Sequence, residues 1–180
     1  MTMAWAMVAA PEPIRQLTVA VTDEGVACVA FHRGAEALAA AARRTGRRLV
    51  EDANRTDEAV RQLTDYLNGC RRDFDLPLDW SLSPGPQRTV LETLYAGVGY
   101  GETTTYGELA RRSGAFPGAD GVLGARAVGS IMGANPIPIV VACHRVLAAD
   151  GLGGFGGGLA AKRWLLELEG TLPPTLDFGG

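Results

Sequence analysis

The stretch Asn135-Pro-Ile-Pro-Ile-Val-Val-Ala-Cys-His-Arg-Val146 places reactive side chains at the end of an apolar run. Asn135 precedes a proline, which disfavours helical backbone, so a helix before it should end there. Cys143 then follows the apolar run beside two potential cations, His144 and Arg145. A neighbouring cation favours the thiolate, which is the nucleophilic form of cysteine, although a buried structural cysteine fits the tripeptide equally well. The apolar residues that should be buried are Ile137, Ile139, Val140 and Val141.

A glycine-rich segment and a final helix follow this stretch. Residues 151–158 contain six glycines in eight positions, and the segment is either a flexible linker or, through Phe155, one wall of a pocket near Cys143. Glu169 ends the predicted helix at the negative end of its dipole, where a carboxylate is unfavourable by roughly 0.3–1 kcal/mol. A carboxylate that reaches His144 would instead form a Cys–His–Glu relay, which generates a thiolate. The predicted buried face of this helix is Ala161, Trp164, Leu165 and Leu168.

Two short helices are predicted before the reactive stretch. Thr105 and Glu108 have the spacing of a capping box, so a helix should run from there through Arg112. A loop over residues 113–124 separates it from a second helix over residues 125–133, a pattern compatible with a helix-turn-helix or with ordinary packing. Small side chains on the second helix allow close packing inside the protein or close approach to a DNA groove: Ala125, Ala127, Gly129, Ser130 and Gly133.

The N-terminal half has the pattern of an α/β domain. Residues 17–22 and 25–31 suit a β-hairpin, and helices are predicted over residues 36–44 and from a cap at Thr56. Residues 1–10 are apolar without a preceding basic residue, which favours a poorly ordered tail over a secretory signal. A connector over residues 71–80 divides the chain into an α/β domain (1–80) and a C-terminal domain (81–180). In the C-terminal domain, Ser83 and Pro84 should begin a helix that buries Val90, Leu91 and Leu94.

Composition narrows the class of protein. Of the 180 residues, 47% are hydrophobic and 21% are charged, as in an ordinary globular protein. The formal net charge of −3 argues against a protein that coats DNA through its overall charge. The apolar runs are shorter than the roughly 18–20 residues that span a bilayer. The widely spaced cysteines, Cys28, Cys70 and Cys143, have no zinc-ligand spacing and indicate a reduced, cytoplasmic protein. Cys28 alternates with apolar residues and should be buried.

With these motifs together, the chain resembles the O6-alkylguanine-DNA alkyltransferases, also called methylated-DNA–protein-cysteine methyltransferases. The resemblance covers roughly residues 17–170. It rests on five ordered motifs: Tyr100-Gly-Glu-Thr-Thr-Thr-Tyr-Gly-Glu-Leu-Ala110, Ala125-Arg-Ala-Val-Gly129, Asn135-Pro-Ile-Pro-Ile139, Cys143-His-Arg-Val146 and Gly157-Gly-Leu159. It implies an α/β, ribonuclease H-like N-terminal domain followed by a mainly α-helical C-terminal domain with a helix-turn-helix DNA-binding element.

The resemblance also implies roles for individual residues. Cys143 would accept the alkyl group, activated by His144 and Glu169 with a water between histidine and sulfur. Tyr106 would help rotate the nucleotide and hydrogen-bond the guanine, and Arg126 would fill the vacated base stack. The remaining predicted site residues are Asn135 as a hinge that braces the active site, Ala125, Ala127, Gly129 and Ser130 at the DNA, and Phe155, Gly156 and Val146 in the substrate pocket.

The implied activity is direct-reversal repair of double-stranded DNA bound through its minor groove, by a monomer that needs no cofactor or metal and binds no membrane. The sequence departs from the family at Ala142 and Gly99, where prolines are usual, at Pro86, where an aromatic residue is common, and in a longer loop between the two short helices. Two alternatives remain at this point: a damage-recognition protein of the same fold that transfers nothing, and a cysteine hydrolase. Non-transferring relatives typically lack the cysteine, and a hydrolase would not explain Tyr106 or Arg126.

Overall fold

A four-stranded sheet with one helix on each face forms the N-terminal half of the computed structural model, which describes residues 1–174. The strand order is β3-β2-β1-β4, with β1 antiparallel to β2 and parallel to β4. Alternate side chains face opposite sides of the sheet, so Leu17 and Val19 pack in the larger core with the second helix while Ala20 packs with the first. The elements are β1 (Thr2–Ala9), β2 (Gln16–Thr22), β3 (Gly25–Ala30), α1 (Gly34–Thr45), β4 (Arg48–Glu51) and α2 (Ala53–Leu67).

The prediction of a poorly ordered tail at residues 1–10 is wrong. This segment is the inner strand β1, paired on both edges, and Met3 and Ala4 are fully buried. The segment is almost entirely apolar, and leaving such a chain in water costs more than pairing its backbone inside a sheet.

The predicted hairpin, by contrast, is confirmed by the antiparallel pairing of β2 with β3, and the predicted burial of Cys28 is confirmed at 4% exposure.

The C-terminal half is mainly helical. Its elements are α3 (Pro86–Gly97), β5 (Thr104–Thr105), α4 (Tyr106–Ser113), α5 (Gly121–Gly133), β6 (Val146–Leu147) and α6 (Leu159–Leu168), with β5 parallel to β6. Helices α4 and α5 pack closely because Gly124 has no side chain: a Cβ there would lie 3.3 Å from Cβ of Ala110. The predicted helix-turn-helix element is thus present as a packed helix pair, and the fold class is confirmed.

Four helices begin at residues other than those predicted, and one of them, α1, begins at Gly34 instead of residue 36. Asp52, and not Thr56, caps α2 by accepting a hydrogen bond from the Arg55 amide. Asp120 caps α5 by accepting from the Leu123 amide, four residues before the end of the predicted loop. Pro86 is the first residue of α3, in place of Pro84. An aspartate is as good an N-cap as serine and better than threonine, so each aspartate extends its helix by a turn.

The capping box at Thr105 is half correct. The Thr105 hydroxyl accepts a hydrogen bond from the Glu108 amide at 3.2 Å, which confirms the start of α4. The Glu108 carboxylate binds the Arg111 guanidinium at 2.7 Å instead of reaching back to the Thr105 backbone. A charge-assisted bond within the same helix outweighs a bond to an exposed amide.

Within residues 1–174, no helix is both long enough and apolar enough to cross a lipid bilayer.

Candidate active site

An open cavity of about 880 Å³ lies between the helix pair α4–α5 and the glycine-rich segment, and Cys143 is one of the residues that line it. Of the predicted site residues, the structure brings seven to its lining: Tyr106, Ala125, Arg126, Gly129, Cys143, Phe155 and Gly156. Ala127 and Ser130 lie on α5 outside this lining, and their predicted contact with DNA stays a prediction. A cavity of this size can hold a nucleotide base.

The small residues of α5 divide into two groups. Gly124 packs against α4, as the packing interpretation requires, whereas a Cβ added at Gly121, Gly129 or Gly133 would meet open space. These three glycines are eight and four residues apart, so they share one face of α5, and this face lines the cavity. On the same face Arg126 is exposed and pairs with no other side chain of residues 1–174. This face can therefore approach a partner closely and offers it a free guanidinium group.

The Cys143 thiol is 5% exposed, and burial raises its pKa to about 11. A hydrogen bond from Asn135 and the charge of Lys162 act in the opposite direction. The backbone of Cys143–Arg145 forms a 3-10 turn. The thiol is protonated at neutral pH, so its reaction requires a base to accept the proton.

His144, the next residue, has a ring nitrogen that can accept a proton. Its side chain is fully buried, and its Nε2 lies 2.9 Å from Oε1 of Glu169. A carboxylate only accepts hydrogen bonds, so Nε2 carries the proton and Nδ1 holds the lone pair. Nδ1 has no hydrogen-bond partner among residues 1–174. Burial lowers the pKa of His144, so the ring is neutral and Nδ1 can accept a proton.

Glu169 is held ionised by its partners. Burial opposes its charge, but hydrogen bonds from His144 and Arg145 outweigh that penalty and lower its pKa to about 2. Arg145 reaches both carboxylate oxygens at 2.9 Å and also donates to the Val98 carbonyl at 2.7 Å. The expectation that Arg145 acts as a cation beside the sulfur is therefore wrong: its charge is neutralised by Glu169.

Asn135 braces the chain between α5 and Cys143. Its amide donates to the Val141 carbonyl at 2.8 Å, and its Oδ1 accepts from the Ile137 amide at 3.0 Å. Between these two bonds lies Ile139, fully buried with φ +73, a left-handed conformation that costs a β-branched residue on the order of 1–3 kcal/mol. Asn135 thus holds a strained turn that presents Cys143 to the cavity.

The glycine-rich segment is a wall of the cavity, which excludes the interpretation as a plain linker. Gly153 has φ +73, and a Cβ on it would lie 2.5 Å from the Tyr106 hydroxyl oxygen, so the wall approaches Tyr106 as only glycine permits. Phe155 lines the cavity and packs edge-on against Phe31 of the N-terminal half, with ring centroids 5.3 Å apart. Burial raises the pKa of Tyr106, which keeps its hydroxyl proton available as a donor.

Lys162, the single lysine of the chain, is a site residue that the sequence reasoning missed. It is fully buried, and its Nζ donates to the Val146 carbonyl at 2.7 Å and the Gly154 carbonyl at 3.1 Å. Burial lowers its pKa to about 8. The predicted apolar face of α6 was correspondingly inexact, since Lys162 and Leu166 are buried while Trp164 and Leu168 are only half-buried. A lysine on the buried face of an otherwise apolar helix was the available signal.

Val146 does not line the main cavity, so its predicted place in the substrate pocket is wrong. Its side chain is fully buried in the core, in β6 beside Thr104. The backbone of Val146 serves the site by accepting the Lys162 hydrogen bond. The predicted residue thus acts through its carbonyl and not through its side chain.

The fold and the cavity define a protein with an α/β half and a helical half, in which Cys143 lines a cavity beside the helix-turn-helix and is followed by a histidine bonded to a glutamate. Residues 10–80 match the family model described as 6-O-methylguanine DNA methyltransferase, ribonuclease-like domain, and residues 86–171 match the DNA binding domain model of the same name. The chain therefore belongs to the 6-O-methylguanine DNA methyltransferase family.

Individual relatives agree with this assignment. A methylated-DNA–protein-cysteine methyltransferase of Methanopyrus kandleri is 47% identical over 63% of this chain and 79% of its own length, and one of Metallosphaera sedula is 33% identical over 89% and 90%. The Mycobacterium tuberculosis relative is 49% identical, over 64% of this chain and 66% of its own length. A crystal structure of Mycobacterium tuberculosis OGT in complex with DNA superposes with a TM-score of 0.73, at 38% identity and 92% coverage of both chains.

Proposed function

We propose that this protein repairs alkylated DNA by transferring an alkyl group, typically methyl, from O6 of guanine to Sγ of Cys143. The observation that carries the proposal is a buried thiol at a base-sized cavity, backed by a neutral histidine that a glutamate orients. The names of its relatives, which specify methylated DNA and a protein cysteine, support the same reaction.

The reaction is a direct displacement at the alkyl carbon. The S–C bond forms as the C–O bond breaks, and guanine leaves with the electron pair of that bond. The thiol proton passes towards Nδ1 of His144, the acceptor nitrogen of the ring, with the bridging water that the resemblance implies between them. Glu169 stabilises the imidazolium that forms, because its carboxylate accepts from Nε2. Donors at the base, such as the Tyr106 hydroxyl, stabilise the charge on the departing guanine.

The target base lies inside the duplex, so it must rotate out of the helix before it can reach Cys143, at a cost of a few kcal/mol. The face of α5 that lines the cavity suits close approach to the minor groove, since three of its glycines meet open space. Arg126 lies on that face, and we expect its side chain to enter the stack that the base leaves. The Phe155 and Gly156 wall then encloses the rotated base on the other side of the cavity.

Each molecule acts once. The product is a thioether, and a thiolate is a poor leaving group from it, so neither water nor the hydroxyl groups of Thr105 and Tyr106 in the cavity lining displace the alkyl group again. The reaction also needs Cys143 as a free thiol, and all three cysteines are unpaired in the structure. A reducing compartment such as the cytoplasm fits this requirement.

Intact mass spectrometry after incubation with duplex DNA that contains one O6-methylguanine tests the proposal. One methyl per protein is expected, and peptide mapping should place it on Cys143. The Cys143→Ser variant should bind the same DNA without reacting. Cys70→Ser is the matched control, because Cys70 is exposed and distant in sequence from the relay, and it should react like the wild type.

A methyl on Cys28 or Cys70, or repaired DNA in excess over protein, would contradict the mechanism. Binding of the methylated duplex with no adduct at any cysteine would instead identify a damage-recognition protein. Sustained hydrolysis of a simple ester by the wild type and not by Cys143→Ser would support a cysteine hydrolase.

A further inference from the structure

A tyrosine of the N-terminal half reaches into the relay of the C-terminal half. Tyr66 lies near the end of α2 and is fully buried, and its hydroxyl donates to Oε1 of Glu169 at 2.5 Å. The same hydroxyl lies 3.4 Å from Nε2 of His144. The two partners are 103 positions apart in sequence, so this is a direct link between the two halves of the chain at the reactive centre.

The hydroxyl is a fixed donor. Burial raises the pKa of Tyr66 well above its ordinary value, and the charge of Glu169 adds to the effect, so the proton stays on oxygen. The ring is held from two sides by Phe74 and Tyr100, with centroids 5.2 and 6.1 Å away. A phenylalanine would fill the same space, so packing does not explain why this residue carries a hydroxyl group.

The bond selects one position of the Glu169 carboxylate. Oε1 accepts from three donors on two segments of the chain: Tyr66 in α2, and His144 and Nη2 of Arg145 in the 3-10 turn. Glu169 is the residue after the last turn of α6, and its side chain has several rotatable bonds. Arg145 binds both carboxylate oxygens. Without a further donor, it would still hold a Glu169 carboxylate that had moved along the edge of the guanidinium group. The Tyr66 hydroxyl restricts that movement and keeps Oε1 opposite Nε2 of His144.

We propose that Tyr66 is a positioning residue of the alkyl-transfer site, whose hydroxyl fixes Glu169 so that His144 keeps Nε2 protonated and Nδ1 free. This inference rests on the proposed function. It also implies that the N-terminal half is required for the chemical step, because the donor comes from α2.

Tyr66→Phe tests the inference, and Tyr100→Phe is its matched control. The Tyr100 hydroxyl donates to the Leu168 backbone carbonyl at 3.0 Å, beside Glu169 but not to its carboxylate. Three quantities are measured for each protein: the single-turnover transfer rate at saturating DNA, the dissociation constant for DNA, and the melting temperature. The imidazole N–H proton of His144 is also followed by NMR with ¹⁵N-histidine, which is assignable because the chain has only two histidines.

Tyr66→Phe should slow transfer about tenfold or more, as expected when a general base loses its orientation, with unchanged DNA affinity. Its His144 N–H signal should shift and exchange faster with water. Tyr100→Phe should change neither. An unchanged rate or an unchanged His144 signal in Tyr66→Phe, or equal slowing in both variants, would overturn the inference.

Two safeguards keep the test decisive. If Tyr66→Phe does not fold, 3-fluorotyrosine is placed at position 66, where it keeps the ring and the hydroxyl group but is a stronger hydrogen-bond donor. The N–H signal of His144 should then shift. An unchanged signal would refute the link between Tyr66 and the relay. The NMR measurement needs neither DNA nor transfer. A wild type that transfers no alkyl group would therefore refute the proposed function, while the signal still decides whether Tyr66 orients Glu169 and His144.

Discussion

The Nζ atom of Lys162 lies 2.7 Å from the carbonyl oxygen of Val146 and ties the strand after the nucleophile to the last helix. Its second bond, to the Gly154 carbonyl, fixes the glycine-rich wall of the cavity. The same ammonium group favours the thiolate of Cys143 through its charge. One buried cation therefore supports both the shape of the site and the charge on its nucleophile.

Lys162→Met should slow transfer by more than tenfold, because two buried carbonyl groups lose their donor and Cys143 loses a favourable charge. The pKa of Cys143, followed by thiolate absorbance, should rise further. Arg163→Met removes a positive charge from an exposed neighbour on the same helix and should leave both quantities near the wild-type values. Equal effects of the two substitutions would mean that only overall charge matters.

Glu169→Gln should slow transfer far more than it weakens DNA binding. The amide no longer stabilises a developing imidazolium on His144, whereas the face of α5 is untouched. Single-turnover rates at saturating DNA and a separate binding titration measure the two effects. If rate and affinity fall together, or if a lower melting temperature accounts for both, the residue serves the fold and not the chemistry.

The same residue makes the protein sensitive to acid. The pKa of Glu169 is lowered from 4.5 to about 2 in the folded state, so its stabilisation is fully present above the unfolded pKa and is lost as the pH falls from about 4.5 towards 2. A shift of that size corresponds to on the order of 3 kcal/mol. Urea unfolding at several pH values in this window should show a smaller loss of stability for Glu169→Gln than for the wild type. Parallel curves for the two proteins would contradict this assignment.

The sequence predicted the parts of the site that local patterns encode. Thr105 was identified as a cap from its spacing to Glu108, and the relay of Cys143, His144 and Glu169 was inferred from adjacent residues and the position of a carboxylate at a helix end. The predicted hairpin and the buried residues of the reactive stretch, such as Ile137, are likewise present.

What the sequence did not reveal depends on contacts between distant segments. Nothing near Tyr66 in sequence indicates its bond to Glu169, which lies 103 positions away. Lys162 was overlooked because its partners are backbone carbonyls, which have no sequence signature. Strand β1 was missed because a segment with no polar alternation has no period by which a strand can be recognised. The start of α2 differs from the prediction because Asp52 and Thr56 could each serve as its cap.

Asn135→Ala should loosen the turn that presents Cys143. The variant loses two hydrogen bonds to backbone that hold Ile139 in its left-handed conformation, so a decrease of about 1–3 kcal/mol in the free energy of unfolding is expected. Transfer to Cys143 should slow as well. Gln87→Ala is the control, because half-buried Gln87 donates to the carbonyl of Ala134, the residue before Asn135. A Gln87→Ala variant as slow as Asn135→Ala would show that any bond to this turn suffices.

Arg126→Ala should separate base rotation from chemistry. Arg126 is exposed on the cavity-lining face of α5, where it can fill the gap left by the rotated base, so the variant should slow repair of duplex DNA severalfold or more. Reaction with the free base O6-benzylguanine requires no rotation and should stay close to the wild-type rate, provided that this base enters the 880 Å³ cavity. Arg88→Ala removes an equally exposed charge that is paired with Glu92 on α3, and it should alter neither reaction. Loss of a simple phosphate contact would lower the DNA affinity and its salt dependence without changing the rate at saturating DNA. The saturated rate and the salt dependence of binding are therefore both measured. A variant whose saturated rate on duplex DNA matches the wild type, with only weaker and less salt-dependent binding, would make Arg126 a phosphate contact and not the residue that replaces the base.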